Sequence, residues 1–240
     1  QYDNISILDV IPYINLRYVV HLWGVKPDME EAKTLQNEAI ELLYSLAERH
    51  TMCAAVSFFK ANGTDIGIAI HNEKQTFLPT PRQTKADSKQ PLSLCDYIAP
   101  APAEDYIGAF AITLSESFVK ELEQLKSEGD QYKALLTQSL ADRLAEATSE
   151  FMHQQVRRTL WGYAPDEDLL PQELFKAHYQ GIRPAVGYPS LPDQKLMFKL
   201  AELIDFNDLG ITITENGAMY PQSSVSGLYI ANPDSEYFIV

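Results

Sequence analysis

Segments with helical and with strand periodicity fall into separate groups along this chain, and that segregation limits the fold more than any other feature. Residues 28–50 place Ala32, Leu35, Ala39, Leu42, Leu43 and Leu46 at helical spacing. Asp28 is the expected N-cap, with Glu31 three residues on. A strand group follows. Residues 52–59 and 65–71 flank the turn signal Ala61-Asn62-Gly63-Thr64, and 106–114 (YIGAFAITL) reads as a buried strand. Helical patterns return at 115–130, ending at Gly129-Asp130, and at 131–161, where Leu136, Leu140, Leu144, Ala147 and Phe151 form one stripe. Further helices are expected at 167–178 and 193–205, then strands at 210–214, 223–231 and 236–240, with Asn216-Gly217 as a tight hairpin turn. Near the start, Pro12 separates an opening segment from a short helix ending near Gly24. No βαβ rhythm occurs, so the expected class is α+β: a mainly antiparallel sheet flanked by helices. The polar stretch 73–92, with three prolines and several lysines, reads as a loop. The wider region 73–104 is the best linker candidate and is ranked as a loop too.

Bulk properties narrow the function classes. The chain has 240 residues, enough to bury a substantial core, with 45% hydrophobic and 22% charged residues. Its formal charge of −14 repels a phosphate backbone, so nucleic acid is not an expected partner. No run approaches the roughly 18 apolar residues of a membrane span, and the first residues lack a signal-peptide layout. A cytoplasmic protein that is not bound to membrane is expected. Cys53 and Cys95 lack metal-ligand spacing, so no metal site is expected, and two free thiols are favoured over a single disulfide. The absence of an initiator Met and the apolar ending at Val240 read as the boundaries of a piece of something longer.

Three segments have the chemistry for a site. Residues 181–192 (GIRPAVGYPSLP) hold two glycines and three prolines. This composition stiffens the chain, excludes helix and central strand, and lets a ligand approach the backbone. Arg183 there offers a planar fork suited to a carboxylate. Read alone, the segment is a rigid surface connection with an incidental arginine. The long helix has a second face, with Asp142, Glu146, Glu150, His153 and Arg157 opposite the leucines. Its plain reading is a solvated face, and Glu146 matters only if another element covers it. Tyr237-Phe238 reads as a core pair that is also able to stack on a base. The five histidines are scattered, none with a metal-binding companion at helical spacing, and no nucleophile motif is present. No catalytic residue is assigned.

Taken together, several blocks resemble the activation domain of cobalamin-dependent methionine synthase. They are 105–113 (DYIGAFAIT), 140–147 (LADRLAEA) continuing to 161–165 (WGYAP), 179–189 (YQGIRPAVGYP), and more weakly 223–229 with 232–235. The resemblance runs from about Ile11 to the C-terminus. It implies one C-shaped α+β domain over 1–240, cut from a multidomain enzyme and built around a twisted antiparallel sheet. It implies S-adenosyl-L-methionine as the ligand, in a shallow groove. It also implies that cobalamin is held by a neighbouring domain and that flavodoxin or a similar flavoprotein supplies an electron. The sulfonium methyl group would then restore methylcobalamin from the oxidised, inactive state. By resemblance, Arg183 holds the methionine carboxylate, and the backbone around Ala185 and Gly187 lies against the ligand, followed by Tyr188. Glu146 lines the groove, Tyr237 and Phe238 lie near the nucleoside, and Asn15 stands where the family uses an Asp to hold the ligand.

Three positions depart from the family pattern. Asn15 keeps the hydrogen-bonding shape and loses the charge, at a cost on the order of 1 kcal/mol. Leu191-Pro192-Asp193-Gln194 stands where the family often reads Cys-Pro-acid-His, and Gln194 cannot titrate. Phe238 replaces a second Tyr. These departures keep two other classes in view: a module that binds or senses S-adenosylmethionine without methyl transfer, and a docking scaffold for a flavoprotein. Arg143, Arg157 and Arg158 are the expected local basic cluster for such a partner.

Overall fold

The computed structural model describes residues 1–26, 28–84 and 91–240, and leaves the side chains of Leu16, Arg17 and Gln172 outside the description. In chain order, β1 (Tyr2–Ser6) leads into α1 (Ile7–Val10), a 3-10 turn at Ile11–Tyr13, α2 (Leu16–Leu22) and α3 (Glu30–Ala47). Strands β2 (Thr51–Gly63), β3 (Gly67–Ile70), β4 (Thr76–Pro79) and β5 (Asp105–Leu114) follow, then α4 (Glu116–Glu128) and α5 (Gln131–Gln155). The last part holds α6 (Pro171–Leu174), α7 (Met197–Leu200), β6 (Thr212–Ile213), β7 (Met219–Tyr220) and β8 (Val225–Tyr229). The larger sheet runs β4-β3-β2-β5-β8 with β1 also on β2, and β6-β7 form a separate hairpin. The β1–β2, β2–β3, β3–β4 and β6–β7 pairs are antiparallel. This is the expected α+β class.

The chain divides into two compact units. The first comprises Gln1–Ala54, Ile112–Met152 and Pro221–Ser224. Here α3 buries Ala32, Leu35, Ala39, Leu43 and Leu46, which lie on one helical face, and packs against α1 and α2. The α4 helix buries Phe118, Leu122 and Leu125 and ends at Gly129 in the left-handed region, φ +81°. His50 is held between Ser117 (2.9 Å) and Glu121 (2.7 Å) and stacks on Phe118.

The second unit comprises Ala55–Ala111, His153–Tyr220 and Val225–Val240. Phe110 of β5 stacks on Tyr229 of β8 at 4.7 Å, and both are buried. Ser226 Oγ donates to the Phe110 carbonyl at 2.6 Å, also within the core. Cys53 and Cys95 are free thiols. Burial, with Asp3 beside it, pushes the Cys53 thiol up to about 11, which keeps it protonated and unreactive. Among the described residues no helix is long and apolar enough to cross a membrane.

Several local expectations change. The α3 helix starts at Glu30 with Met29 as its N-cap, so Asp28 does not cap it. The β2 strand continues to Gly63, and the turn moves to 64–66. The 73–92 loop contains β4, whose Pro79 sits at the end of an edge strand, where proline costs no ladder bond. Residues 85–90 of that loop lie outside the described residues. The 167–178 helix shrinks to α6. Pro171 bars a helical conformation at Leu170, and Ala177 takes a positive φ of 52°. The 193–205 helix reduces to a 3-10 turn at Gln194–Leu196 followed by α7. The hairpin at Asn216-Gly217 forms between β6 and the unexpected β7, with Gly217 at φ +86°. The tail 236–240 forms no strand.

Candidate functional site

The Gly/Pro-rich segment is laid along the edge of β8. Ile182 exchanges both backbone bonds with Ile230 (2.9 and 3.0 Å), Leu228 N–H donates to the Pro184 carbonyl (2.9 Å), and Val186 N–H donates to that of Ser226 (3.0 Å). Gly227 permits this approach: a Cβ there would meet the Pro184 oxygen at 2.3 Å. The chain then reverses. Gly187, at φ +88°, donates to the Leu191 carbonyl (2.9 Å), and Leu191 N–H donates back to that of Tyr188 (2.9 Å). The C-terminal tail is tied down beside it, because Val240 N–H donates to the Pro189 carbonyl (3.2 Å) and Gln83 Nε2 to that of Ile239 (3.1 Å).

Loop and tail together border an open cavity of about 190 Å³, walled by Arg183, Ala185, Tyr188, Tyr237, Phe238 and their neighbours. Of the lining residues only Arg183 carries a charged side chain, and only Tyr188, Ser190 and Tyr237 carry hydroxyls; the others are apolar. Tyr237 is 44% exposed, while Phe238 is 8% exposed and lies 6.3 Å from the ring of Tyr97. The Tyr237 hydroxyl accepts from the Arg183 backbone N–H at 3.0 Å, fixing the tail against the loop. Of the residues expected at a site, five therefore meet here. Gly187 forms the turn behind them and does not wall the cavity. Asn15 and Glu146 are half-buried residues of the first unit.

The second face of the long helix is not solvated. Asp142 accepts from Ser223 (2.5 Å) and Gln138 (3.0 Å), Glu150 is buried, and His153 and Arg157 are fully buried. Past α5 the chain makes one π turn over Val156–Leu160, closed by Trp161 N–H on the Val156 carbonyl (3.0 Å). Arg157 is 0% exposed and forms a bidentate pair with Glu167, 2.6 and 2.8 Å. Arg143, Arg157 and Arg158 therefore make no docking cluster, since only Arg158 is exposed and Arg157 is consumed internally.

Behind the cavity lies a layer that the sequence reading missed. The Arg157 guanidinium sits 4.0 Å over the Tyr179 ring, and the Tyr179 hydroxyl accepts from Arg183 Nη1 at 3.0 Å. His153 packs edge-on against Tyr179 (5.0 Å) and flat on Tyr229 (5.2 Å), with Nε2 3.2 Å from the Tyr163 hydroxyl. Burial, then the Arg157 and Arg183 charges, hold the His153 imidazole well below its ordinary 6.5, so it is neutral. Burial pushes Tyr163 up, so it stays a neutral phenol. The available signals were Tyr179 opening the 179–189 block and His153 and Arg157 four residues apart. Nothing local marked Glu167.

No group of three or more His, Cys, Asp or Glu able to hold a metal occurs among the described residues. What the site offers is one fixed cation on an apolar wall with aromatic rings. Residues 7–240 match the model of the family described as vitamin B12-dependent methionine synthase, activation domain.

The chain belongs to that activation-domain family.

A crystal structure of the MetH reactivation domain bound to AdoHcy is similar in fold, with a TM-score of 0.90 and 33% sequence identity. The likeness covers 100% of this chain and 80% of that one. This activation domain thus shares both the sequence pattern and the α+β fold of its family, and the family match crosses both compact units.

Proposed function

We propose that this activation domain binds S-adenosylmethionine through the 183–188 loop and presents its methyl group for reactivating cobalamin. Cobalamin would be carried by another domain of the same methionine synthase, with residues 1–240 as one domain of that longer methyltransferase. The observation that carries the reading is the Arg183 guanidinium, braced by Tyr179 at 3.0 Å on the wall of an apolar cavity. A fork held in that way suits the carboxylate of an amino-acid ligand. The similar MetH domain binds AdoHcy, a ligand with that same carboxylate.

Size limits what the cavity does. Pockets that enclose a drug-sized ligand run from roughly 300 Å³ upward. At about 190 Å³, this one seats only part of a nucleoside–amino acid and leaves the rest at its mouth. A methyl donor needs that accessibility, because its sulfonium must be reached from outside. Bound cobalamin supplies the nucleophile, and the sulfonium is already a good leaving group. This chain's residues are therefore left with binding and orientation, without acid or base. A one-electron reduction by flavodoxin or a similar flavoprotein would come first and turn the oxidised cobalamin into that nucleophile, and the methyl transfer from the sulfonium would then complete the reactivation. The roles given to Asn15 and Glu146 rest on the family resemblance alone.

Calorimetric titration with S-adenosylmethionine tests the reading. Wild-type protein is expected to bind, and Arg183→Ala to raise the dissociation constant at least about tenfold, the equivalent of roughly 1.4 kcal/mol. Unchanged affinity in Arg183→Ala would remove the role given to this residue. Binding without methyl transfer in the full enzyme would make the domain a sensing module.

A further inference from the structure

Arginine loses considerable rotamer freedom when it is fixed, so a ligand that must order the side chain itself binds more weakly than one that meets it ready. In this structure Arg183 Nη1 already donates to the Tyr179 hydroxyl at 3.0 Å. Tyr179 is in turn gripped on several sides. One ring face carries the Arg157 guanidinium at 4.0 Å, and His153 meets the ring at 5.0 Å with the planes 86° apart. Arg157 cannot swing away, because it is fully buried and doubly bonded to Glu167. His153 is sandwiched against Tyr229, a core residue of β8. The Tyr179 hydroxyl also lies 3.4 Å from that of Tyr237, which walls the same cavity.

We propose that Tyr179 is a positioning residue that holds the Arg183 guanidinium for the ligand's carboxylate, and that the buried Arg157–Glu167 pair fixes Tyr179. The proposal rests on the reading that Arg183 takes that carboxylate. Tyr179 acts on the amino-acid end of the ligand and leaves the nucleoside end alone. Arg157 has no direct part in binding, because it is fully buried, paired with Glu167 and not among the residues that wall the cavity. Its contribution is to lock one ring orientation, as supporting shells do elsewhere.

Two ligands separate this role from plain structural support. S-adenosylhomocysteine carries the amino-acid carboxylate, and 5′-methylthioadenosine shares its nucleoside and lacks it. Both are titrated calorimetrically into wild type and into Tyr179→Phe, which keeps the ring, its packing and the cation above it. The expected result is a loss of at least about fivefold for S-adenosylhomocysteine and a change within about twofold for methylthioadenosine. In an Arg183→Ala background, Tyr179→Phe is expected to be silent. Equal weakening of both ligands, an unchanged preference for S-adenosylhomocysteine, or a full effect without Arg183 would each overturn the proposal. If wild type binds neither ligand, the reading beneath it fails first.

Discussion

His153 shows how far one buried side chain can set a property of the whole fold. Its imidazole is 0% exposed and, through burial and the Arg157 and Arg183 charges, held well below its ordinary 6.5. In the unfolded chain the same group titrates near that ordinary value. Below it, unfolded protein takes up a proton that the native state refuses. The stabilisation is therefore complete above about pH 6.5 and is lost as pH falls, until the native imidazole itself titrates. His153→Gln is expected to flatten the decline of unfolding free energy below about pH 6.5, measured by urea denaturation at stepped pH. A decline as steep as wild type would mean that the imidazole is already charged. Arg157 gives a larger effect without pH. Its partner Glu167 has a side chain only 6% exposed, so Arg157→Ala strands a buried carboxylate. The expected loss is about 3–5 kcal/mol, read as a fall in the urea midpoint, and a loss below about 1 kcal/mol would contradict the pairing. Neither residue was legible as buried. The spacing put both on the polar face of a helix, and charge on a helix face reads as solvation until tertiary packing is known. The forked chemistry of Arg183 was legible, but Tyr179 beneath it was not, because a tyrosine in a loop carries no local sign of what it braces.

Among the elements, β8 and the loop beside it set the shape of the site. A Cβ at Gly227 would stand 2.3 Å from the Pro184 oxygen and 2.7 Å from the Ala185 Cα, both backbone atoms that cannot rotate aside. Gly227→Ala is therefore expected to push the loop off the strand. It should cost about 1–3 kcal/mol in denaturant unfolding and weaken S-adenosylmethionine binding together. A variant with wild-type stability and affinity would show that the loop does not depend on this contact. At Gly187 the Gln194 Oε1, 2.8 Å from the same kind of Cβ, is a flexible amide end that can yield, and it is the φ of +88° that resists a side chain there. The strand 106–114 and the helix from 131 were readable because long uniform periodicity is a local property. The β4 strand and the short α6 were not. Pro79 and Pro81 masked a strand that tolerates proline only because it is an edge, and Pro171 cut a helix whose apolar spacing ran on. The tail 236–240 looked like a strand from its aromatics, yet it is held by single bonds such as that from Gln83 to the Ile239 carbonyl (3.1 Å).

For the molecule as a whole, the net charge of −14 and the internal use of Arg157 leave no basic docking cluster at 143–158. A flavoprotein partner would have to meet another surface. The family was legible because several blocks occur in a fixed order across the chain, and one family model spans residues 7–240. Composition alone carried no such information, since neither the hydrophobic fraction nor the charge distinguishes a ligand-binding domain from any other. The central claim is that the 183–188 loop receives the amino-acid end of a sulfonium ligand or its product. The most direct measurement is a crystal structure of this chain with S-adenosylhomocysteine. The expected result is the ligand carboxylate about 3 Å from the Arg183 guanidinium, with the Arg183–Tyr179 bond retained. A ligand whose carboxylate lies away from Arg183, or one bound at another cleft, would contradict the account.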